Sequence, residues 1–305
     1  MALSQGGKIQ AADYNGIRTN FMGILSTGSG TAGYNATPLS SSVPVGQKVK
    51  EADWDNLRRD IQRLATHQGT SITTLTDVGT GNKVSVGVAN QYNSVYTTLY
   101  NNRLNIAAGQ YSDESLTTST RTANWNGSLN HAFNLNFGSY NAARGFFNAG
   151  GQIRIQPSFS RSSNTTINLD WDSLINNVPT LVFNYTETRA NSTSGTLISS
   201  TGFFDLTSAW VQLYTRTGGI VSGASGYTAN DYTVRVRGDS ATPSIVYFEC
   251  QFNDDKGFID PLWPQGDEPA TGTTTNTVRM YRPTETTSNA GIVCPAPSVS
   301  VTSNL

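Results

Sequence analysis

Few side chains in this sequence combine a type and a spacing that could do chemistry. The only imidazole bases are His67 and His131. His67 lies near the predicted end of a helix and His131 on the apolar face of a predicted strand, and both positions favour a hydrogen-bonded structural histidine over a general base. The sequence contains no Gly-x-Ser-x-Gly elbow and no cysteine and histidine spacing for zinc. We therefore expect no catalytic residue, no metal site and no cofactor, and we expect Cys250 and Cys294 to be reduced thiols.

Carboxylates are the remaining candidates for acid-base or cation chemistry. One pair is Asp170 and Asp172, and a second group comprises Asp254, Asp255, Asp260, Asp267 and Glu268. Paired acids could cleave a glycosidic bond, and an oxygen-rich loop could bind calcium. Neither group has the alternating spacing of a calcium loop. The interpretation that we favour is solvated turn residues, with calcium as the next alternative.

The segment from Gly28 to Gly33 reads Gly-Ser-Gly-Thr-Ala-Gly, which matches the dinucleotide-binding fingerprint. That fingerprint needs a strand before it and a helix after it, so that the pyrophosphate meets helix N-terminal amides. Here a predicted helix precedes the segment, and the Tyr34 to Pro38 stretch that follows cannot continue as a helix. The segment is therefore predicted to be a connection without a nucleotide.

The composition excludes two classes of partner. The chain has 305 residues, a net charge of −1 and only 13% charged residues. A chain with this charge has no long-range attraction for polyanions, so we expect no nucleic-acid partner. No apolar run approaches the roughly 20 residues of a membrane span, and the N-terminus does not resemble a signal peptide. We expect synthesis in a cytoplasm and no membrane insertion.

Two segments near the N-terminus resemble each other. Residues 6–18 align without gaps on residues 46–58, which predicts a strand-helix unit used twice. Apolar residues in each copy are spaced by 3, 4 and 3 positions and form one stripe of a helix. The two stripes consist of Tyr14, Ile17, Phe21 and Ile24, and of Trp54, Leu57, Ile61 and Leu64. Either the helices pack on one another, or other subunits complete them; we expect these eight side chains to be a subunit docking surface.

The stretch from Ser139 to Ile155 predicts a helix that passes into a strand through a glycine turn. Ser139 can cap the helix, and Gly150 and Gly151 supply the positive-φ residue that ends it. Asn148, Gly150 and Gly151 are therefore predicted to be a structural turn. A strand with one buried face should follow, because apolar and polar residues alternate from Gln152 onward.

Alternation recurs after Tyr111 and predicts a β-rich domain. The candidate strands include 129–137, 181–185, 210–214, 232–236 and 246–252, with turn residues between them. Such a series indicates a β-sandwich or barrel. We predict an α+β protein with a helical repeat and docking region at 1–110, a β-sandwich domain at 111–266 and an extended C-terminal arm at 267–305, whose last part from Thr284 is either an arm or an edge strand.

Tryptophans are concentrated in the β-rich part, at Trp125, Trp171, Trp210 and Trp263. Exposed rings beside Asn and Gln could stack on sugars. The same rings could instead fill a sandwich core or a subunit contact. The sequence leaves both interpretations open.

Three motifs together resemble virion structural proteins of tailed bacteriophages, especially contractile-tailed phages including those of cyanobacteria. They are the block from Ala142 to Arg154, the Asp53-Trp54-Asp55-Asn56-Leu57 helix and His67-Gln68-Gly69. One departure is Gln152, where the family often carries an acid. The resemblance implies a non-enzymatic virion component in several copies, located in the tail, baseplate or a fibre, with other phage structural proteins and copies of itself as partners. The alternatives are a host-surface glycan-binding adhesin and a capsid decoration protein; a depolymerase is the enzyme alternative.

Overall fold

The structure is a computed structural model that describes residues 9–79, 84–218, 227–254, 268–284 and 290–304. The chain forms two compact units. The helical unit comprises Met1–Ser112, Arg144–Gly151 and Arg282–Pro295, and the sandwich unit comprises Asp113–Ala143, Gln152–Tyr281 and Ala296–Leu305. Within the described ranges, no helix is both long and apolar enough to cross a membrane.

The helical unit contains α1 (Ala11–Leu25), α2 (Glu51–Gln68), α3 (Val86–Ser94) and α4 (Tyr96–Asn101). Aromatic rings form its centre. The ring of Trp54 lies 5.3 Å from that of Tyr14 and 5.5 Å from that of Tyr92, both edge to face. Such pairs add directional packing to the burial of large apolar surfaces.

The first two helices begin in the same way. The carboxylate of Asp13 accepts the backbone N–H of Gln10 at 2.8 Å, and that of Asp53 accepts the backbone N–H of Lys50 at 2.7 Å. An acid at this position satisfies an otherwise unpaired donor and complements the helix dipole. The predicted strand-helix repeat is not confirmed, because residues 46–50 form a turn and an unpaired extended segment instead of a strand.

Two later segments complete the helical unit. The His67 ring nitrogen Nε2 lies 2.9 Å from the carbonyl oxygen of Ala149, and Arg63 Nε donates to the carbonyl oxygen of Ala290 at 2.6 Å. Both contacts join α2 to chain that is far away in sequence. The unit is therefore built from three separate stretches of chain.

The sandwich unit has two sheets, one of six strands in the order β1-β10-β3-β4-β5-β6 and one of five in the order β11-β2-β9-β8-β7. The strands are β1 (Tyr111–Trp125), β2 (Ser128–Asn136), β3 (Gln152–Arg161), β4 (Leu181–Phe183), β5 (Thr188–Ala190), β6 (Leu197–Ser199), β7 (Val211–Thr217), β8 (Asp231–Gly238), β9 (Ile245–Asn253), β10 (Ala270–Pro283) and β11 (Ser298–Asn304). Two helices, α5 (Tyr140–Asn148) and α6 (Thr166–Asn176), and a 3₁₀ turn (Phe203–Asp205) connect them. The predicted α+β class with a β-sandwich is confirmed.

The core of the sandwich lies between the inner faces of the two sheets. Phe183 on β4 meets Phe248 on β9 with ring centroids 5.3 Å apart, and Trp171 on α6 meets Phe252 at 5.8 Å. In β2 and β9 every second residue is buried. This alternation follows from the strand period of two, with one face of the sheet covered.

The described residues of the expected extended arm, 268–284 and 290–304, contain two paired strands instead. β10 lies between β1 and β3 inside the six-stranded sheet, and β11 is the edge strand beside β2. The threonine-rich sequence of β10 suits a strand because β-branched side chains favour the extended backbone. The edge-strand alternative for the end of the chain is the one that the structure adopts.

The turn after α5 satisfies the last helical carbonyls. Gly150 has φ 85°, its N–H donates to the carbonyl of Phe147 at 3.1 Å, and the N–H of Gly151 donates to that of Phe146 at 2.9 Å. This pair of hydrogen bonds is a Schellman motif. Asn148 is the last residue of the helix, and β3 starts directly after Gly151.

Candidate functional site

The expected docking surface on α1 and α2 is not available to a partner. Its eight side chains are the two stripes Tyr14, Ile17, Phe21, Ile24 and Trp54, Leu57, Ile61, Leu64, and none is more than 6% exposed. They are covered from within the helical unit; Trp54, for example, packs on Tyr14 and Tyr92, and Phe21 on Tyr96. The stripes are therefore core, and the expectation that another subunit covers them is wrong.

The segment from Gly28 to Gly33, which matches the dinucleotide-binding fingerprint in sequence, surrounds the guanidinium group of Arg144. The guanidinium of Arg144 donates to three backbone carbonyl oxygens of this segment, those of Gly28, Gly30 and Ala32, and to that of the preceding Thr27. Asn148 adds a bond from its side-chain amide to the carbonyl of Gly33 at 3.2 Å. A phosphate site needs N–H donors pointing inward, whereas here the acceptors point inward. The segment is a structural connection held by Arg144.

His131 belongs to a buried polar chain between the two sheets. Its Nδ1 lies 2.6 Å from the hydroxyl of Ser119 and its Nε2 lies 3.0 Å from the hydroxyl of Thr274. A serine beside a histidine resembles a nucleophile and its base. However, His131 is fully buried and Ser119 is 5% exposed, so no substrate reaches the pair. Burial also lowers the pKa of His131 to about 4, so the ring stays neutral and acts as a hydrogen-bonding bridge.

The candidate acids do not form a site in the described part of the chain. Asp172 is ion-paired with Arg161, and Asp170 is buried. Asp254 and Glu268 are both buried, and the Tyr227 hydroxyl donates to Glu268 at 3.3 Å. Asp255, Asp260 and Asp267 lie outside the described residues. No group of His, Cys, Asp or Glu in the described ranges could hold a metal ion.

The tryptophans divide clearly between core and surface. Trp125 and Trp171 are buried, whereas Trp210 is 40% exposed. Trp263 lies outside the described residues. Trp210 immediately precedes β7, so it lies at one edge of the five-stranded sheet.

The outer face of the five-stranded sheet places Trp210 at the end of a row that crosses all its strands. Val211 pairs with Val236, which puts Trp210 opposite Arg237. The next partners follow from the strand registers: Arg237 with Tyr247, Tyr247 with Asn134, and Asn134 with Ser300. We call these five residues, Trp210, Arg237, Tyr247, Asn134 and Ser300, the cross-strand row. With strands about 4.8 Å apart, the row spans roughly 19 Å.

Two aromatic rings fix the position of Arg237 in this row. The guanidinium carbon lies 4.1 Å from the ring centroid of Tyr247 and 5.0 Å from that of Trp210. The neighbouring Arg235 is different, because it forms an ion pair with Glu249 at 2.6 Å. Among the described residues, no carboxylate lies within ion-pairing distance of Arg237. The cross-strand row therefore carries one positive charge that no described acid neutralises.

A groove of about 300 Å³ opens beside the other end of the row. Its lining consists of Asn134, Asn136, Ile245, Tyr247, Ser298, Val299 and Ser300. Amide and hydroxyl groups provide both donors and acceptors, and the Tyr247 ring adds an apolar wall. The volume is at the lower end of the range for ligand pockets. The lining contains no histidine, cysteine or carboxylate, so the groove can bind but has no acid or base of its own.

Sequence reasoning identified only one member of this site. Trp210 was one of several tryptophans that could stack on a sugar, but Arg237, Tyr247, Asn134 and Ser300 gave no separate signal. The alternation of β8 does place Arg235 and Arg237 on one face. The row itself depends on strand order and register, which sequence periodicity does not specify.

No protein-family model, no curated protein and no solved structure matches this chain. The geometry of the outer sheet face is therefore the basis for a functional assignment.

Proposed function

We propose that this protein is a non-enzymatic component of a tailed-bacteriophage particle that binds a host-surface saccharide on the outer face of its five-stranded sheet. The observation that carries the binding role is the cross-strand row, in which an exposed tryptophan leads through Arg237 and Tyr247 to a groove lined by amides and hydroxyls. The particle assignment rests on the sequence resemblance alone.

Saccharides suit this face because they combine apolar and polar surfaces. The C–H face of a sugar ring packs on an aromatic side chain, and its hydroxyls need donors and acceptors in fixed directions. Tyr247 offers a ring, while Asn134 and Asn136 offer amides on the same groove. Trp210 provides a second ring, 40% exposed.

A protein-protein contact explains the same face less well. The centres of protein interfaces are usually apolar and poor in charged residues. Among the described residues this face is mainly polar: its central strand β9 presents Ile245, Tyr247, Glu249, Gln251 and Asn253 outward, and β8 presents Arg235 and Arg237. We therefore assign the face to a hydrated, hydroxyl-rich ligand.

Several copies of the chain in one particle would strengthen such binding. A shallow site of this volume gives modest affinity by itself, and linked copies raise the effective concentration of the next site. A homo-oligomer among other phage structural proteins is thus part of the proposal, with virion localisation after synthesis in the host cytoplasm.

The binding role is tested with the purified full chain on an array of host-envelope polysaccharides. We expect binding that the Trp210→Ala variant weakens by about two- to tenfold, because a stacked ring contributes on the order of 0.5–1.5 kcal/mol. The matched control is Tyr100→Ala, since Tyr100 is also an exposed ring beside an arginine, 4.3 Å from the guanidinium carbon of Arg103. Absence of saccharide binding, or equal losses in both variants, would overturn the binding role.

An assembly role, including that of a capsid decoration protein, is the second candidate. It is favoured by the loop between α1 and α2, where Val45 is 94% exposed and Leu39 is 40% exposed. A docking contact at this loop would remove these two apolar side chains from water, which favours association. A Val45→Asp variant that still enters particles at the normal copy number would exclude this loop as the contact, and antibody labelling would locate the protein in the tail or on the capsid.

A further inference from the structure

We infer that the saccharide recognised by the outer sheet face is acidic, and that Arg237 binds its carboxylate. This inference rests on the proposed function, because it names the class of ligand for the same site. The inference adds that the ligand must carry a negative charge, whereas aromatic and amide groups alone would also suit a neutral sugar.

The first argument is that the two neighbouring arginines of β8 have different partners. Arg235 and Arg237 point to the same face of β8, but Arg235 is neutralised by Glu249 at 2.6 Å. Gln251 donates to the other oxygen of Glu249 at 3.3 Å, which further engages that carboxylate. Arg237 has only aromatic neighbours among its described contacts. A ligand anion would complete the ion pair that the sheet leaves open.

The second argument is preorganisation. A free arginine loses side-chain entropy when it binds an anion. The guanidinium of Arg237 already lies 4.1 Å from the Tyr247 ring centroid and 5.0 Å from that of Trp210. The Nε atom of Arg237 is buried without a hydrogen-bond partner among the described residues, but the residue as a whole is partly exposed. Its terminal N–H groups form the part of the fork that can match the two oxygens of a carboxylate.

The third argument is the surrounding charge. Three acids lie near Arg237 in the chain or on this face. Asp239, two residues after Arg237, accepts hydrogen bonds from the backbone N–H and the hydroxyl of Ser244. Glu249 is paired with Arg235, and Asp231 accepts hydrogen bonds from Thr233 and Asn253. Asp231 is four residues from Arg235 along β8, in the direction away from the cross-strand row. Tyr247 lies between Arg237 and the groove. A short oligosaccharide could therefore place a carboxylate on the guanidinium and the hydroxyls of a following sugar on Asn134 and Ser300, which are two and three strands away. These features together favour a uronic-acid type of saccharide over a neutral one.

The test uses oligogalacturonate and its fully methyl-esterified form, in which each carboxylate is replaced by an uncharged methyl ester on the same sugar chain. Binding of each to the full chain is measured by calorimetry at low and moderate salt. We expect the acid form to bind at least about tenfold more tightly than the ester, since a charge-assisted pair is among the stronger hydrogen bonds. We also expect this preference to weaken as salt increases.

Three variants connect the preference with Arg237. Arg237→Gln should bind both forms equally, and Arg237→Lys should keep only part of the preference, because it retains the charge but not the planar fork. The matched control is Arg59→Gln, which removes one exposed charge from α2 in the helical unit. It should bind as the unmodified chain does.

The outcomes separate this inference from the function on which it rests. Equal binding of acid and ester, with a loss in Trp210→Ala, would overturn the acidic preference and leave saccharide binding intact. Binding of neither, together with no binding to host polysaccharides, would overturn both. Equal binding of dextran sulfate and oligogalacturonate, abolished in Arg59→Gln as well, would show unspecific attraction of polyanions and would also overturn the inference.

Discussion

Arginine side chains in this protein act mainly through directed hydrogen bonds. Arg63, Arg103 and Arg144 each donate to backbone carbonyl oxygens in the helical unit. A guanidinium has five donors in a rigid plane, so one side chain can hold several turns of irregular backbone. Only 13% of the residues are charged, and each of these arginines has a defined structural role. Arg237 differs from them, because its described partners are aromatic rings and not hydrogen-bond acceptors.

The two histidines should make the stability of the protein depend on pH. Burial lowers the pKa of both His67 and His131 from 6.5 to about 4. In the unfolded chain each ring takes up a proton below about pH 6.5, whereas the folded ring stays neutral. The stabilisation is therefore complete above pH 6.5 and is lost as the pH falls toward 4. We expect a decrease of up to about 3 kcal/mol per histidine in the free energy of unfolding, measured by urea unfolding from pH 7 to pH 4.

A His67→Gln variant provides the control for this prediction. Its amide N–H can still donate to the carbonyl of Ala149, but it does not titrate. The difference in stability between the unmodified chain and the variant should shrink as the pH falls from 6.5 to 4. Parallel curves over this range would contradict the depressed pKa of His67.

At the scale of elements, close packing decides which helical glycines are needed. A Cβ added at Gly145 in α5 would lie 2.8 Å from both the Cβ of Asn35 and the carbonyl oxygen of Tyr34. A Cβ at Gly16 in α1 would have no atom within 4 Å. The backbone of α5 therefore approaches its neighbour as closely as only glycine permits, whereas α1 has room for a methyl group.

The same substitution should have opposite effects at these two positions. Gly16→Ala should raise the free energy of unfolding by about 0.5–1 kcal/mol, because alanine is the better helix former. Gly145→Ala should lower it by about 1–3 kcal/mol through the forced shift of backbone. Urea unfolding of both variants is the measurement, and a stabilised Gly145→Ala protein would contradict the close approach.

The elements differ in how readily their sequence predicts them. β2 and β9 could be predicted, because one face of each is buried and the other is not, which produces strict alternation between Leu129 and Phe137 and between Val246 and Phe252. α2 could be predicted from its stripe. The short strands β5 and β6 could not, since their side chains are mostly small or partly exposed, and β11 could be predicted only as one of two alternatives for the end of the chain. The candidate site could be predicted only as far as Trp210, because the cross-strand row depends on the pairing of strands that are distant in sequence.

At the scale of the whole molecule, chain order and unit boundaries do not coincide. The helical unit contains Arg144–Gly151 and Arg282–Pro295 in addition to the N-terminal stretch. The contacts between the N-terminal stretch and these two segments join residues that are far apart in sequence, so local periodicity cannot predict them. The stripes of α1 and α2 have a different cover: they pack on each other and on Tyr92 and Tyr96 of α3 and α4, a contact that the spacing of the stripes alone does not reveal.

A fragment of residues 1–112 should therefore fail to fold by itself. It lacks the carbonyl groups of Ala149 and Ala290, which meet His67 and Arg63, and the guanidinium that holds the glycine-rich connection. We expect poor amide dispersion by NMR and a broad, non-cooperative urea transition, in contrast to the full chain. A fragment with a sharp transition and the stability of the full chain would contradict the three-segment construction.

The most direct test of the binding face follows the indole N–H signals of the five tryptophans by NMR while the full chain is titrated with oligogalacturonate. The Trp210 signal is assigned with a Trp210→Phe variant. The account predicts that this signal shifts with saturation of the site, while those of the buried Trp125 and Trp171 stay in place. Saccharide binding that leaves the Trp210 signal unchanged, or no binding of any host saccharide, would contradict it.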